Sequence, residues 1–242
     1  MYRLRFSPRT VALVLLVIVT SLLVAGLATQ YIKYFHGHDT QLGFVRLLHL
    51  DGENNVPAWY SCAALLLCSA VLGIIGLHHR QAADKYARHW LALAIVFLYL
   101  SIDEGASIHE MVDLPIHHRL EAIGYLDAIL PMIGMAWVLA GFLFSVIVFL
   151  AFWRFLLHLP IATRLLFLVA GGLYVGGAVG LEAVEGRYFP EGADHTFILE
   201  LIVALEEALE MLGVILFLYS LMAYMAKQGI RLEIVVIRDR HD

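Results

Sequence analysis

The chain has 242 residues, 61% of them hydrophobic and 15% charged, with a formal net charge of −5. A soluble domain of this size cannot bury that much apolar surface, so the composition reads as a polytopic membrane protein. The mildly acidic balance excludes a nucleic-acid partner, and neither a Gly-rich phosphate loop nor a dinucleotide fingerprint is present.

Six apolar runs, 10–30, 57–77, 90–108, 131–153, 165–184 and 197–225, are each near or above the roughly 20 residues a bilayer requires. The first follows Arg3, Arg5 and Arg9. It lacks a small-residue cleavage site and is long for a signal peptide, so it reads as a retained helix. The next segment carries His36, His38, Asp39 and an amphipathic stretch, 41–50, that suits the membrane interface. The acidic run Asp51-Gly52-Glu53-Asn54-Asn55 follows. It lacks the spacing of a twelve-residue calcium loop and reads as a turn, although it is placed to cap an acidic site from above. Pro57, Trp59 and Tyr60 then supply an interfacial anchor. Cys62 and Cys68 lie on different faces of the second run and read as packing residues that cannot bridge each other.

Basic residues set the orientation. Arg3, Arg5, Arg9, Arg80, Lys85, Arg88, Arg154, Arg164, Lys227, Arg231, Arg238 and Arg240 fall on one side, against Lys33, Arg46, Arg119 and Arg187 on the other. The positive-inside rule puts both termini in the cytoplasm. The expected fold is therefore all-α: one transmembrane helical-bundle domain over 1–242, six transmembrane helices, N-in and C-in. Short cytoplasmic tails cover 1–9 and 227–242. The expected location is a bacterial plasma (inner) membrane, with a polar site on the periplasmic side.

That polar site is the chief signal. Asp103, Glu104, His109 and Glu110 close the third run, Glu182 and Glu185 close the fifth, and Glu206, Glu207 and Glu210 open the sixth. An ionised carboxylate in hydrocarbon is costly, so such groups face a bundle interior, pair with a cation or line a polar path. Counted from Arg88, Arg164 and Lys227, all three segments reach one slab about 23–32 Å above the basic anchors. Facing agrees with depth. Asp103 and Glu110 lie about 20° apart on a continuous helix, Glu206 and Glu210 about 40°, and Glu182 and Glu185 about 60°. Glu104 and His109 fall outside the Asp103 stripe, and at most one joins it without a distortion, for which Gly105 offers a place. The segment 111–130, with Pro115, His117 and His118, suits a second interfacial helix. In the fifth run Gly172, Gly176 and Gly180 repeat every fourth residue, a spacing that lets helix backbones approach closely.

Clustered carboxylates cannot all ionise unless a cation intervenes or some stay protonated. The expected ligand set is Asp103, Glu104, His109, Glu110, Glu182, Glu185, Glu206, Glu207 and Glu210. Such oxygen-rich donors suit a divalent or trivalent metal, with iron, manganese or calcium favoured over zinc. The pairs Glu182-x-x-Glu185 and Glu207-x-x-Glu210 resemble bundled di-metal carboxylate sites only by analogy, since no Glu-x-x-His is present. His36, His38, His117, His118 and His195 read as solvated loop histidines. The function expected is a metal-dependent membrane protein, an enzyme on a membrane lipid or quinone in one form, with Glu110 or Glu207 as general base. Two alternatives stay open: a non-catalytic subunit or assembly factor alongside other membrane protein subunits, and a cation or proton translocator. The inner halves of the runs offer almost no polar residue for a path.

Overall fold

A computed structural model describes residues 7–37, 40–124, 136–189 and 196–230. Arg3, Arg5, His38, Asp39, His195, Arg231, Arg238 and Arg240 lie outside them, as do the side chains of Glu110 and His117. Among the described residues the protein is helical, with no strand.

The first long helix, α1 (Pro8–His36), starts with proline in its first turn and stops at Gly37, whose φ of 67° a glycine adopts without strain. A 3-10 turn, Gln41–Gly43, and a single helical turn, α2 (Phe44–Leu47), follow. Val45 and Leu50 are buried, so the amphipathic stretch docks onto the bundle as well as facing the interface. Asn55 begins α3 (Val56–Gln81), its Oδ1 accepting from the Ala58 N–H at 3.1 Å, with Pro57 in the first turn. α4 (Ala87–Ala106) returns antiparallel against α3. Asp84 fixes the turn between them: it accepts from the Tyr86 N–H at 2.7 Å and meets His79 at 2.9 Å. His79 also meets the Tyr224 hydroxyl at 2.9 Å. Hydrogen bonding from the Tyr86 N–H, helped by His79, holds the Asp84 carboxyl below its usual range.

The chain then departs from the expected pattern. The helix does not run through to Glu110. Ser107 takes a left-handed conformation, φ 51° and ψ 44°, and a separate helix, α5 (Ile108–Ala122), begins there. Angles counted across this break lose their meaning, so the stripe joining Asp103 to Glu110 on one straight helix is not formed. α6 (Ala136–His158) packs on α5. α7 (Ile161–Val175), a π turn (Gly176–Leu181) and α8 (Glu182–Tyr188) form one continuous rod. α9 (Phe197–Gln228) is capped by Thr196, which accepts from the Leu199 N–H at 3.4 Å, and ends at Gly229 with φ 68°.

Among the described residues five helices are long and apolar enough to cross a membrane: α1, α3, α4, α6 and the α7–α8 rod. The chain is an integral membrane protein. α9 is the sixth expected crossing. Its 32 residues span about 48 Å, and it is the central rod, packed by α1, α3, α7 and the π turn. At the end holding Arg80, Arg88 and Lys227, the core is closely packed and mostly apolar. Leu72, Ile75, Phe155 and Leu221 are fully buried, and Trp90 and Leu218 are 1% exposed. The opposite end carries the acids.

Candidate functional site

Close backbone contact brings two of the acidic segments together. A Cβ placed on Gly177 would lie 2.8 Å from the Glu206 carbonyl oxygen and 2.8 Å from Glu210 Cγ. Farther along the seam, a Cβ on Gly213 would lie 2.8 Å from the Ala170 carbonyl oxygen. The Gly172, Gly176 and Gly180 repeat does not make this contact. Around Gly172 and Gly176 there is open space, and the nearest neighbour of Gly180 is Val175, at 4.0 Å. Gly177 lies on the face of the rod that carries Ala170 and Tyr174, both of which meet Gly213 of α9, whereas Gly172 and Gly176 lie on another face. The extra residue of the π turn shifts the facing of the acids that follow it.

Glu182, Glu185 and Glu206 each offer a carboxylate oxygen, and the three atoms lie within 4.8 Å of one another. Glu185 is 9% exposed and Glu206 8%. Glu185 Oε1 is buried and has no hydrogen-bond partner among the described residues. Glu182 Oε1 accepts from Trp137 Nε1 at 3.4 Å, which ties α6 to the group.

Beside these acids lies a cavity of about 710 Å³. Glu182 and Glu206 reach its wall, joined by Asp103, Glu104, His109, Glu207 and Glu210. All three acidic segments therefore border one space. Asp103 Oδ1 accepts the His109 N–H at 2.9 Å, and Oδ2 lies 3.1 Å from His109 Nδ1. The His109 ring sits 5.0 Å from that of Trp137. A chain of contacts thus runs Asp103–His109–Trp137–Glu182, polar at both ends and ring against ring in the middle. The break at Ser107 permits it, because it turns His109 back over the preceding helix. The side chain of Glu110 lies outside the described part, so its place relative to the cavity is not assigned.

The acidic loop takes the capping place its sequence suggests, while other partnerships escape the sequence reading. Asp51, Gly52 and Glu53 border the cavity, and the acidic loop is fixed by Asn55, whose Nδ2 donates to the His49 carbonyl at 2.6 Å. Glu200, whose sequence position suggests only a helix-dipole role, is 6% exposed. It accepts from the Tyr34 hydroxyl at 3.2 Å and lies 3.3 Å from His49 Nε2. That hydrogen bond to Glu200 holds the His49 imidazole above its usual 6.5, although burial works against it. His49 lies in an otherwise apolar amphipathic stretch, and nothing in its spacing points to Glu200. Trp137 opens the fourth run at the right depth for an indole N–H donor, which is the one signal that could have singled it out.

The chain belongs to the family described as "Domain of unknown function (DUF8692)", whose model matches residues 11–225. No curated protein and no solved structure matches it.

Proposed function

We propose that this membrane protein binds a divalent or trivalent metal through Glu182, Glu185 and Glu206, and that the adjoining cavity takes a lipid or quinone for metal-dependent chemistry. One observation carries the reading: three carboxylates within 4.8 Å, two of them buried, with Glu185 Oε1 left without a partner among the described residues. Three such groups repel strongly in a medium of low dielectric, and a cation relieves that repulsion while supplying the missing contact. The donors are all oxygen, which suits iron, manganese or calcium better than zinc. A bound ion would supply Lewis-acid polarisation of an oxygen at the cavity wall. Glu207, one residue beyond Glu206 and facing the same space, is the carboxylate left to act as general base.

The closely packed, mostly apolar core at the basic end speaks against translocation. Leu72, Trp90, Phe155 and Leu221 fill the space a path would need. The subunit reading draws on α6, where only 11% of the most apolar stretch is buried within the chain. Lipid or another membrane protein subunit would cover that surface. Elemental analysis of protein purified without added metal tests the leading reading. About one equivalent of iron, manganese or calcium, lost on chelation, is the expected result. Metal-free protein that binds none on titration would retire it.

A further inference from the structure

The cavity reaches well below the acids. Tyr99 lies one helical turn below Asp103, Ser145 two turns below Trp137, and Tyr174 two turns below Glu182, and all three form part of the wall. At about 1.5 Å per residue these positions lie roughly 6–12 Å deeper along the rods. The wall there is Tyr99, Leu100, Phe144, Tyr174 and Val175, aromatic or aliphatic apart from the two tyrosine hydroxyls and Ser145. The Ser145 hydroxyl is spent on its own helix, donating to the Gly141 carbonyl at 2.8 Å. One space is thus acidic at its head and apolar in its body, the profile of an amphiphile site. Its size is within the range of small-molecule sites, about 300–1,000 Å³.

The body also opens sideways. α4 packs on α3, and α6 packs on α5. Across the α4–α6 seam the Tyr99 and Phe144 rings face each other at 5.8 Å. Both line the cavity, yet they are 44% and 37% exposed. Wall residues this exposed, at a seam between two apolar helices, stand where the cavity would meet surrounding lipid.

The head end selects by charge. Glu104, Glu182, Glu206, Glu207, Glu210 and Asp51 line it, and among the described residues Arg119 is the one arginine in the wall. A bound ion and shared protons lower the charge of this surface, yet it keeps many carboxyl oxygens against one guanidinium. An anionic head is repelled, whereas a hydroxyl or ammonium head finds acceptors.

We propose that this cavity binds a long-chain amphiphile with a neutral or cationic, hydrogen-bond-donating head, which enters from the bilayer between Tyr99 and Phe144. The proposal rests on the metal reading for the head chemistry, while the chain site stands apart from it.

Three photoreactive probes test it: a long-chain alcohol, amine and phosphate, each with a diazirine midway along the chain. The protein is held in lipid nanodiscs, with and without chelator, and labelled peptides are mapped by mass spectrometry. The alcohol and amine should label the segments around Tyr99 and 144–145 at least about tenfold more than the phosphate does, a difference near 1.4 kcal/mol. Exposed Leu13 and Val17 on α1 report background labelling by all three probes. Excess unlabelled amine should remove the cavity labels and spare those on α1. Ser145→Trp, which plugs the body, should do the same. Equal labelling by all three heads, a preference for phosphate, or labels that excess amine does not displace would overturn the proposal. Metal-free protein with displaceable cavity labels would sink the metal reading alone. Metal-loaded protein with background labelling would sink the amphiphile site alone.

Discussion

Asp103 holds His109 at two points, the backbone N–H on Oδ1 at 2.9 Å and the imidazole Nδ1 near Oδ2 at 3.1 Å. The two residues flank Ser107, which is held at φ 51° without being glycine. Positive φ costs a β-substituted residue about 1–2 kcal/mol, and the double contact with Asp103 offsets it. The latch fixes how α5 leaves α4, and so where Pro115, Ile116 and Arg119 border the cavity.

Asp103→Ala should therefore free the start of α5. Hydrogen exchange at the amides of 108–111 should speed up, and global stability should fall by about 1–3 kcal/mol, the scale of a lost charged hydrogen bond. Asp103→Asn keeps an oxygen for the His109 N–H and should cost less. Unchanged exchange in Asp103→Ala would show that α5 is held by its contacts with α6 alone.

At the α9 seam two adjacent glycines should behave oppositely. Gly177→Ala drives a methyl to within 2.8 Å of the Glu206 carbonyl, and a backbone oxygen in a helix cannot yield as a side chain can. Destabilisation of about 1–3 kcal/mol is expected, together with displacement of Glu206. Gly176→Ala meets nothing within 4 Å and should be neutral or slightly stabilising in thermal unfolding. Equal effects at both positions would contradict the seam.

For the acids, Glu206→Gln and Glu185→Gln should each lower metal content at least about tenfold, and chelation should lower the wild-type melting temperature but not theirs. Glu200→Gln alters a buried acid already satisfied by Tyr34 and His49, so it should leave metal content unchanged. Equal metal loss in all three variants would point to general misfolding instead.

Much of this was legible in the residues. Apolar run length located the membrane helices, because a bilayer sets one length for all of them. The basic anchors placed Asp103, Glu182 and Glu206 at one depth, because helical rise is nearly constant. What failed was angular phase. Straight-helix counting breaks at Ser107 and at the π turn Gly176–Leu181, since one left-handed residue or one inserted residue rotates everything after it. For that reason His109 reaches Asp103 from a new helix. The glycine repeat fails differently: the face that meets α9 carries Gly177, not Gly172 and Gly176. The partnership of Glu200 with His49 is a tertiary contact between distant segments, with no local pattern to announce it.

The His49–Glu200 pair should make stability depend on pH. The Glu200 carboxylate raises His49 above its unfolded value near 6.5. A raised histidine contributes its full stabilisation below that unfolded value and loses it as pH climbs through the folded one. Wild type should thus exceed His49→Gln in stability in mildly acidic buffer, by up to about 1 kcal/mol for a partly buried pair, and melt at a higher temperature. The gap should close at alkaline pH. A gap constant across the range would mean that His49 acts by packing alone.

Orientation in the membrane follows from charge, and it decides which compartment the cavity head faces. Arg80, Lys85 and Arg88 gather at the α3–α4 turn, while Asp51 and Glu53 gather before α3. By the positive-inside rule the basic turn is expected in the cytoplasm. Exposed single cysteines report this directly. In a Cys62→Ala background, where the remaining Cys68 is fully buried, Asn54→Cys should react with a membrane-impermeant thiol reagent on intact cells. Lys85→Cys should react only after the membrane is permeabilised. The reverse pattern would turn the cavity head to the cytoplasm and with it the side from which metal arrives. Labelling of both without permeabilisation would show that α3 does not cross.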